Sequence, residues 1–403
     1  MPTISLCMIT KNEEAYLEPC LNSVKDLVDE IIIVDTGSTD KTIEIANKFN
    51  AKIVKKPWNN DFSQARNESL KHATKDWILV LDADETITKE DHNKIKQLTE
   101  TNTHLGFMLI QRSYTNDSSS IKWSSSKDDP YQESKQYSGW VYSGITRLFK
   151  NDKRIQFEYP VHETVKESIK RIGKIESTEI PIHHYGKTKS KEEMNKKGEM
   201  YMEIGKEKLD ENKPKFYYEL GVQAMVLNKF DEAITNLKKA IELNKQWPAP
   251  YISLGNIYCK QKKFEEAIAI LEEAKKVDEK DSNIHNNLGV AYEMVRDDRS
   301  ALESYKHAIN YNKQNVDAYS NVTRILVKHN KIDEAIPLVK LLMGFKPKDI
   351  ANYSNLGILF IQKKMLTEAI EVFNEGLKIE PDNKDLKDNI ENTKKLIEAN
   401  KKS

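Results

Sequence analysis

Cysteine is scarce in this chain, and the few present form no pattern. Only Cys7, Cys20 and Cys259 occur among 403 residues. They make no CxxC pair and no zinc-ligand spacing, which excludes a disulfide framework and points to a reducing compartment. Long apolar runs are missing too: nothing approaches the roughly 18 residues needed to cross a bilayer, so no integral membrane segment is expected. Met1 to Glu14 lacks the basic-then-apolar order of a secretory signal, and a cytoplasmic location is expected. Neither sign of charge is in excess. Lys and Arg (63) balance Asp and Glu (63), which gives no ground for nucleic acid as a partner. Glycine-rich phosphate loops are also absent. No GxGxxG follows the first apolar run and no triphosphate loop opens the chain, which removes dinucleotide dehydrogenases and nucleotidyltransferases.

What is present divides the chain in two. Hydrophobic residues at 38% and charged residues at 31% describe a globular protein with a highly charged surface. In the second half one spacing dominates. Gly221, Gly255, Gly289 and Gly357 fall on a 34-residue register, with Thr323 at the remaining step. Ala233, Ala267, Ala301, Ala335 and Ala369 keep the same interval, as do Ala240, Ala274 and Ala308. A large-residue column (Leu237, Leu271, Tyr305, Val339, Phe373) and a ring column (Tyr217, Tyr251, His285, Tyr319, Tyr353) run in phase. Small residues let paired helices approach, and large ones fill the layer between pairs. The segment resembles five tetratricopeptide repeats over 214–381, with a polar capping helix and tail at 382–403.

The first half alternates apolar runs with amphipathic stretches, the pattern of an α/β domain over 1–190. Strands are expected at Ile4–Ile9, Glu30–Val34, Ala51–Lys55, Trp77–Leu81, Leu105–Gln111, Gly144–Phe149, Ile155–Phe157 and Ile180–His184. Helices are expected at Ala15–Lys25, Lys41–Phe49, Phe62–His72 and Lys89–Glu100. Residues 113–143 read as a long surface excursion, and Lys187–Lys213 as a charged segment whose part from 191 forms a helical connector.

Asp82-Ala83-Asp84-Glu85 directly follows the apolar run Trp77–Leu81. Two carboxylates two apart at the end of a strand offer oxygens to one hard divalent cation, Mg²⁺ or Mn²⁺. Three further polar clusters also follow strands or precede this one. They are Thr10-Lys-Asn-Glu13, Asp35-Thr-Gly-Ser-Thr-Asp40 and Phe62-Ser-Gln-Ala-Arg66-Asn67. Ligands of open α/β sheets sit beyond the carboxyl ends of the strands, so these clusters should converge. A carboxylate such as Asp35 can accept from a base N–H, and the planar fork of Arg66 suits a diphosphate.

In that order these four motifs resemble the nucleotide-binding half of a family 2 glycosyltransferase of the GT-A fold, over residues 1 to about 112. The resemblance implies an inverting transfer from a UDP-sugar. It implies Thr10, Glu13 and Asp35 at the base and ribose, and Arg66 near the uracil or phosphates. Asp82 and Ala83 would lie against the nucleotide sugar, with Asp82 near the metal and Asp84 bound to it. Arg147-Leu-Phe149, Tyr159-Pro-Val-His162-Glu163 and Ile182-His183-His184-Tyr-Gly186 are similar to a narrower group, the sublancin-type peptide S-glycosyltransferases and some lipopolysaccharide-core glucosyltransferases. That pattern implies His184 as a further metal ligand, with His183 its competitor, and Arg147 as a phosphate clamp. An inverting displacement needs a base for the acceptor. Glu163 is the candidate and Asp129 the alternative, although a thiol acceptor would need little help. The chain departs from the peptide-transferring group in starting at its first strand and in the length of the 113–143 excursion, both places where acceptors are chosen.

Asn287, Asn321 and Asn355 recur every 34 residues. They resemble the asparagine column with which protein O-GlcNAc transferase grips a peptide backbone, since an amide both donates and accepts. The expected partner is therefore a peptide or protein acceptor taking a hexose or N-acetylhexosamine on Cys, Ser or Thr, with homodimerisation left open. Two alternatives stand beside it: transfer to a cell-surface glycan or lipid-linked sugar, and a non-catalytic repeat scaffold.

Overall fold

A computed structural model describes residues 2–117, 123–127, 129–186 and 191–402. The chain forms two compact units, Met1–Leu209 and Asp210–Ser403. Residues 118–122 and 128 of the expected excursion, and 187–190 at the start of the expected connector, lie outside the described residues.

The first unit is built on β1 (Ile4–Thr10), β2 (Glu30–Asp35), β3 (Lys52–Lys55), β4 (Trp77–Val80), β5 (Glu85–Thr86), β6 (Gly106–Thr115), β7 (Trp123–Ser125), β8 (Gly139–Lys150) and β9 (Ile175–His184). Their order in one sheet is β3-β2-β1-β4-β8-β6-β9-β5, with β7 added on β8. β3, β2, β1 and β4 are parallel, whereas β8 runs antiparallel to β4 and β6. The helices are α1 (Leu17–Val24), α2 (Thr42–Lys48), α3 (Phe62–His72), α4 (Lys89–Thr99), α5 (Lys166–Lys170) and α6 (Lys191–Glu207). β1 and β4 are apolar on both faces because both are covered. Ile4, Leu6 and Met8 join Trp77, Leu79 and Leu81 in one core, while Cys7, Ile78 and Val80 meet Phe149 and Phe157 in the other.

Three expectations change. Ile155–Phe157 forms no strand; both residues are buried under the sheet as irregular backbone. The excursion is partly sheet: β6 runs on to Thr115, and β8 begins at Gly139, five residues early. Polar and aromatic residues alternate there as a half-buried strand requires. Gly139 is obligatory, since a Cβ would stand 2.4 Å from the Trp123 ring. The helix expected as a connector belongs to the first unit, with Met202 and Ile204 buried.

The second unit is a run of helix pairs: α7 (Pro214–Val226) with α8 (Phe230–Leu243), α9 (Pro248–Lys260) with α10 (Phe264–Val277), and α11 (Ser282–Met294) with α12 (Asp298–Tyr311). Then come α13 (Val316–Lys328) with α14 (Ile332–Phe345), α15 (Ile350–Gln362) with α16 (Leu366–Ile379), and α17 (Lys384–Lys402). The sequence columns meet within each pair. A Cβ on Gly221, Gly255, Gly289 or Gly357 would press to within 2.2–2.7 Å of Leu237, Leu271, Tyr305 or Phe373 respectively. At the fourth step Thr323 replaces glycine, and Val339 is the smallest branched residue of the large column. Volume is conserved across the pair. The Thr323 hydroxyl turns back to donate to the Tyr319 carbonyl at 2.8 Å. Between the helices of each pair one residue is left-handed: Asn228, Lys262, Arg296, Asn330 and Lys364, with φ of 57, 60, 64, 56 and 60°.

Candidate active site

The chain crosses from β3 back over β1 to β4, so the strand order reverses between β1 and β4. The carboxyl ends of those two strands open a crevice there. A cavity of about 390 Å³ occupies it, lined on the sheet side by Thr10, Lys11, Glu13, Thr36, Asp82, Ala83, Asp84 and His184. Trp58, Phe62, Arg66, Glu163, Lys197, Met200 and Tyr201 complete the lining. A larger cavity, about 720 Å³, lies in the second unit among Asp298, His307, Ile325 and His329. None of the motif residues reaches it, and its carboxylate Asp298 is already paired with Lys328 and His329 at 2.6 Å.

The loops after β1 and β2 are tied to each other. Asn12, left-handed at φ 57°, donates its backbone N–H to the Ser38 hydroxyl at 3.0 Å and accepts from the Thr39 N–H on Oδ1 at 2.8 Å. Asp35 is buried and accepts from the Gly37 and Ser38 N–H groups at 3.1 Å. Thr10 lines the cavity with a buried hydroxyl that has no partner among the described residues.

Charge is arranged in a chain. Arg66 donates to Glu163 through Nε and to Asp82 through Nη2, both at 2.6 Å, while its buried Nη1 has no partner among the described residues. Arg147 donates to the other oxygen of Asp82 at 2.7 Å and to Glu85 at 3.0 Å. Glu85 is wholly buried and also accepts from Gln111 at 2.5 Å and from the Asp82 N–H at 2.8 Å. Burial pushes the Asp82 carboxyl upward, but the Arg147 and Arg66 guanidiniums overcome it and hold the group well below the usual carboxylate range. At Glu85 burial wins against the single Arg147, and its pKa is raised.

Asp84 and His184 form a separate pair. β5 runs antiparallel to β9 with Glu85 opposite His184, and the Tyr185 N–H donates to the Asp84 carbonyl at 3.1 Å. His184 Nε2 then lies 3.5 Å from Asp84 Oδ2. Its Nδ1 meets the Ser113 hydroxyl at 2.9 Å, which fixes the ring and leaves Nε2 toward Asp84. Gly186 keeps the space beside them open: a Cβ there would fall 2.5 Å from Asp84 Oδ2 and 2.6 Å from His184 Nε2.

Residues 5–160 match the model of glycosyl transferase family 2, and 225–261, 255–295 and 350–383 match models of the tetratricopeptide repeat. The chain carries a family 2 glycosyltransferase domain. The SPbeta prophage-derived glycosyltransferase SunS of Bacillus subtilis is 31% identical over 61% of this chain and 55% of its own length. A TPR repeat-containing protein of Synechococcus elongatus is 37% identical over 46% of this chain and 43% of its own. The chain thus spans about half the length of the curated relatives it matches. The crystal structure of MamA protein aligns with 42% of this chain and 92% of its own at 24% identity, with a TM-score of 0.39.

Within the glycosyltransferase domain the expected residues gather unevenly. Thr10, Glu13, Arg66, Asp82, Ala83, Asp84, Glu163 and His184 share the cavity. Asp35 and Arg147 stand behind it: Asp35 shapes its own loop and Arg147 braces Asp82 and Glu85. Asp82, expected near the metal, has each oxygen in an ion pair with a guanidinium, Oδ1 with Arg66 and Oδ2 with Arg147. Among the described residues no three His, Cys, Asp or Glu side chains are grouped to hold a cation. His183 is corrected as the competitor of His184. Strand alternation turns it to the opposite face, buried against the Tyr114 hydroxyl at 2.6 Å. Asp129, the alternative base, is buried in a pair with Arg112 at 3.0 Å and does not line the cavity.

The loop that carries Glu163 is closed by a bridge between Glu158 and Thr164, and Tyr159 and His162 are left-handed in it at φ 77 and 54°. Two non-glycine residues in that conformation are a local strain of the kind found at functional sites. Sequence reasoning missed the wall contributed by α6. Lys197, Met200 and Tyr201 stand at i, i+3 and i+4, a one-face spacing visible in the sequence but masked by the surrounding charge. In the second unit the asparagine column is partly spent on the array itself. Asn287 donates to Asn256 at 3.0 Å and Asn321 to Asn286 at 3.1 Å, while Asn355 is exposed.

Proposed function

We propose that this chain is a metal-dependent inverting glycosyltransferase. It moves a hexose or N-acetylhexosamine from a UDP-sugar to a Cys, Ser or Thr side chain of a peptide or protein. The observation that carries this reading is one cavity at the strand-order reversal that holds three things together. They are a carboxylate–imidazole pair with open space beside it, a guanidinium with a spare buried N–H, and a buried hydroxyl without a partner. Buried polar groups are nearly always satisfied, so the two orphans mark where a polar ligand belongs.

Asp84 and His184 fit a Mn²⁺ or Mg²⁺ ion, as an oxygen and a nitrogen donor whose remaining positions phosphate oxygens and water would complete. Such an ion supplies charge neutralisation to a leaving diphosphate. The protein's own groups do the rest. Arg66 lines the donor cavity, its plane held by Glu163 and Asp82. Thr10 and Glu13 serve the base and ribose from the first loop, and Asp35 shapes the second. Glu163 Oε1 is committed to Arg66, but Oε2 has no partner among the described residues and takes the acceptor proton. As that proton leaves, the acceptor oxygen or sulfur bonds to the sugar C1. The C1–oxygen bond to the diphosphate breaks with its electron pair, and the anomeric configuration inverts.

The tetratricopeptide repeats, together with the exposed amide of Asn355 and its neighbours Asn287 and Asn321, support a polypeptide acceptor. The test is UDP release by the purified chain across a panel of UDP-sugars with Mn²⁺, beside Asp84→Ala. Turnover of one sugar that falls by roughly a thousandfold in Asp84→Ala is expected. Undiminished turnover in that variant would sink the metal assignment, and no turnover or UDP binding in the wild type would sink the reading itself. Glu163→Gln keeps an acceptor for Arg66 Nε, so it should bind UDP normally yet lose transfer.

A further inference from the structure

Among the residues around the cavity, those of α6 have no role in the reading above. The helix is fastened to the glycosyltransferase domain at several points. Met202 and Ile204 are buried, and Glu207 accepts from the Asn60 amide at 2.7 Å. The Tyr201 ring stands edge-on to Phe62 at 5.6 Å and to His162 at 5.5 Å, and Phe62 is in turn edge-on to Trp58 at 4.7 Å. One helical face therefore closes one side of the cavity opposite Asp82 and Asp84.

On that face lies Lys197, its ammonium 5.5 Å from the centre of the Tyr201 ring. It bonds the Tyr201 side chain and makes no direct ion pair with a carboxylate among the described residues, although Asp82, Asp84 and Glu163 line the same space and Asp82 and Asp84 act on its charge. Asp82 and Glu163 are already satisfied by guanidiniums, and Asp84 faces His184. A cation held by the ring and by the hydroxyl of one tyrosine beside a polar cavity, with no carboxylate in direct contact among the described residues, is set to meet an anion from the ligand. Lysine is a compact point charge, suited to a diphosphate whose oxygens are shared with other groups.

We infer that Lys197 is this chain's own cation for the donor diphosphate, delivered from α6, and that Tyr201 is its positioning residue. This rests on the donor being a nucleoside diphosphate sugar, as proposed above. It gives α6 a role beyond joining two units: the helix is a wall of the donor site, and it closes the site by charge.

Calorimetric titration of the full-length protein with UDP and with uridine, in Mn²⁺, tests the assignment. The wild type should bind UDP more tightly than uridine. Lys197→Ala should weaken UDP roughly tenfold or more while leaving uridine unchanged, and Lys197→Arg should restore most of the loss. Tyr201→Phe keeps the ring but removes the group that bonds Lys197, so it should weaken UDP less than Lys197→Ala does and leave uridine unchanged. If UDP binds the wild type and Lys197→Ala equally, or if Lys197→Ala weakens UDP and uridine alike, the inference is overturned and the transferase reading survives. If the wild type binds neither ligand, the transferase reading itself has failed. An unchanged melting temperature in Lys197→Ala confirms that the variant is folded.

Discussion

The cavity of the first unit and the helix pairs of the second are held together by opposite materials. In the glycosyltransferase domain an alternating chain of charge, Glu163–Arg66–Asp82–Arg147–Glu85, runs from the wall of the cavity into the interior behind it. In the repeat unit the recurring close approach is glycine against leucine, tyrosine or phenylalanine, at four of the five pairs. The first arrangement is unique and directional, so each member depends on the others. The second is redundant, and one step can be altered if its partner is altered too, as Thr323 with Val339 shows. Specific chemistry is concentrated in a network that tolerates little change, while the array spreads its stability over equivalent parts.

The largest effect should come from cutting the charged chain. Arg147→Met strips Glu85 and Asp82 of a shared cation and should cost about 3 kcal/mol, read from the chemical denaturation of the first unit. Glu85 already has a raised pKa, so the folded state holds its proton at a pH where the unfolded chain has released it. The penalty in the variant should therefore grow as pH rises through the folded value and shrink as pH falls below it. A penalty independent of pH would show that lost packing, not stranded charge, is responsible.

The repeat unit should respond more mildly and reversibly. Gly289→Thr forces a Cβ into the Tyr305 ring, now 2.5 Å from that position, and should cost about 1–3 kcal/mol. Adding Tyr305→Val reproduces the fourth pair and should recover about half of that loss, a coupling a double-mutant cycle would measure. Simple addition of the two penalties would mean that the volumes are not exchanged within a pair.

Acid should expose a likeness between the units, since each contains a buried histidine whose pKa is lowered by burial. Burial lowers the His183 pKa to about 4, with Arg112 adding to the effect, and burial likewise lowers His285. Unfolded histidine takes its proton near pH 6.5, so stability is lost as pH falls below that value and stops falling for His183 near 4. About 2 kcal/mol should be lost by pH 5 through His183, and His183→Gln should flatten that slope. His285→Tyr restores the ring found at the other steps of its column and should do the same in the second unit. The smallest effect belongs to Asn321→Ala. It should change stability by about 1 kcal/mol or less while weakening capture of an acceptor peptide, measured by titration.

Most of this was legible in the sequence, and unequally so. The repeats announced themselves because every pair solves the same packing problem with the same residues. The cavity was legible through Asp82–Asp84 and Arg66, since chemistry restricts residue type at strand ends. Arg147 was read as a clamp because arginine suits phosphate, whereas its partner, the buried Glu85, is set by pairing across the sheet. His183 and His184 were separated only by which face of β9 each takes. The wall formed by α6 stayed hidden because its three cavity residues sit among charged neighbours whose pattern reads as a solvated helix.

The left-handed turns of the repeat unit carry one further consequence. Asn228, Lys262, Arg296, Asn330 and Lys364 occupy equivalent places and none is glycine. Asparagine adopts this conformation readily, whereas lysine and arginine are strained in it by roughly 1 kcal/mol. Under mechanical tension the second, third and fifth pairs should therefore open at lower force than the first and fourth, giving steps of similar length but two sizes of force.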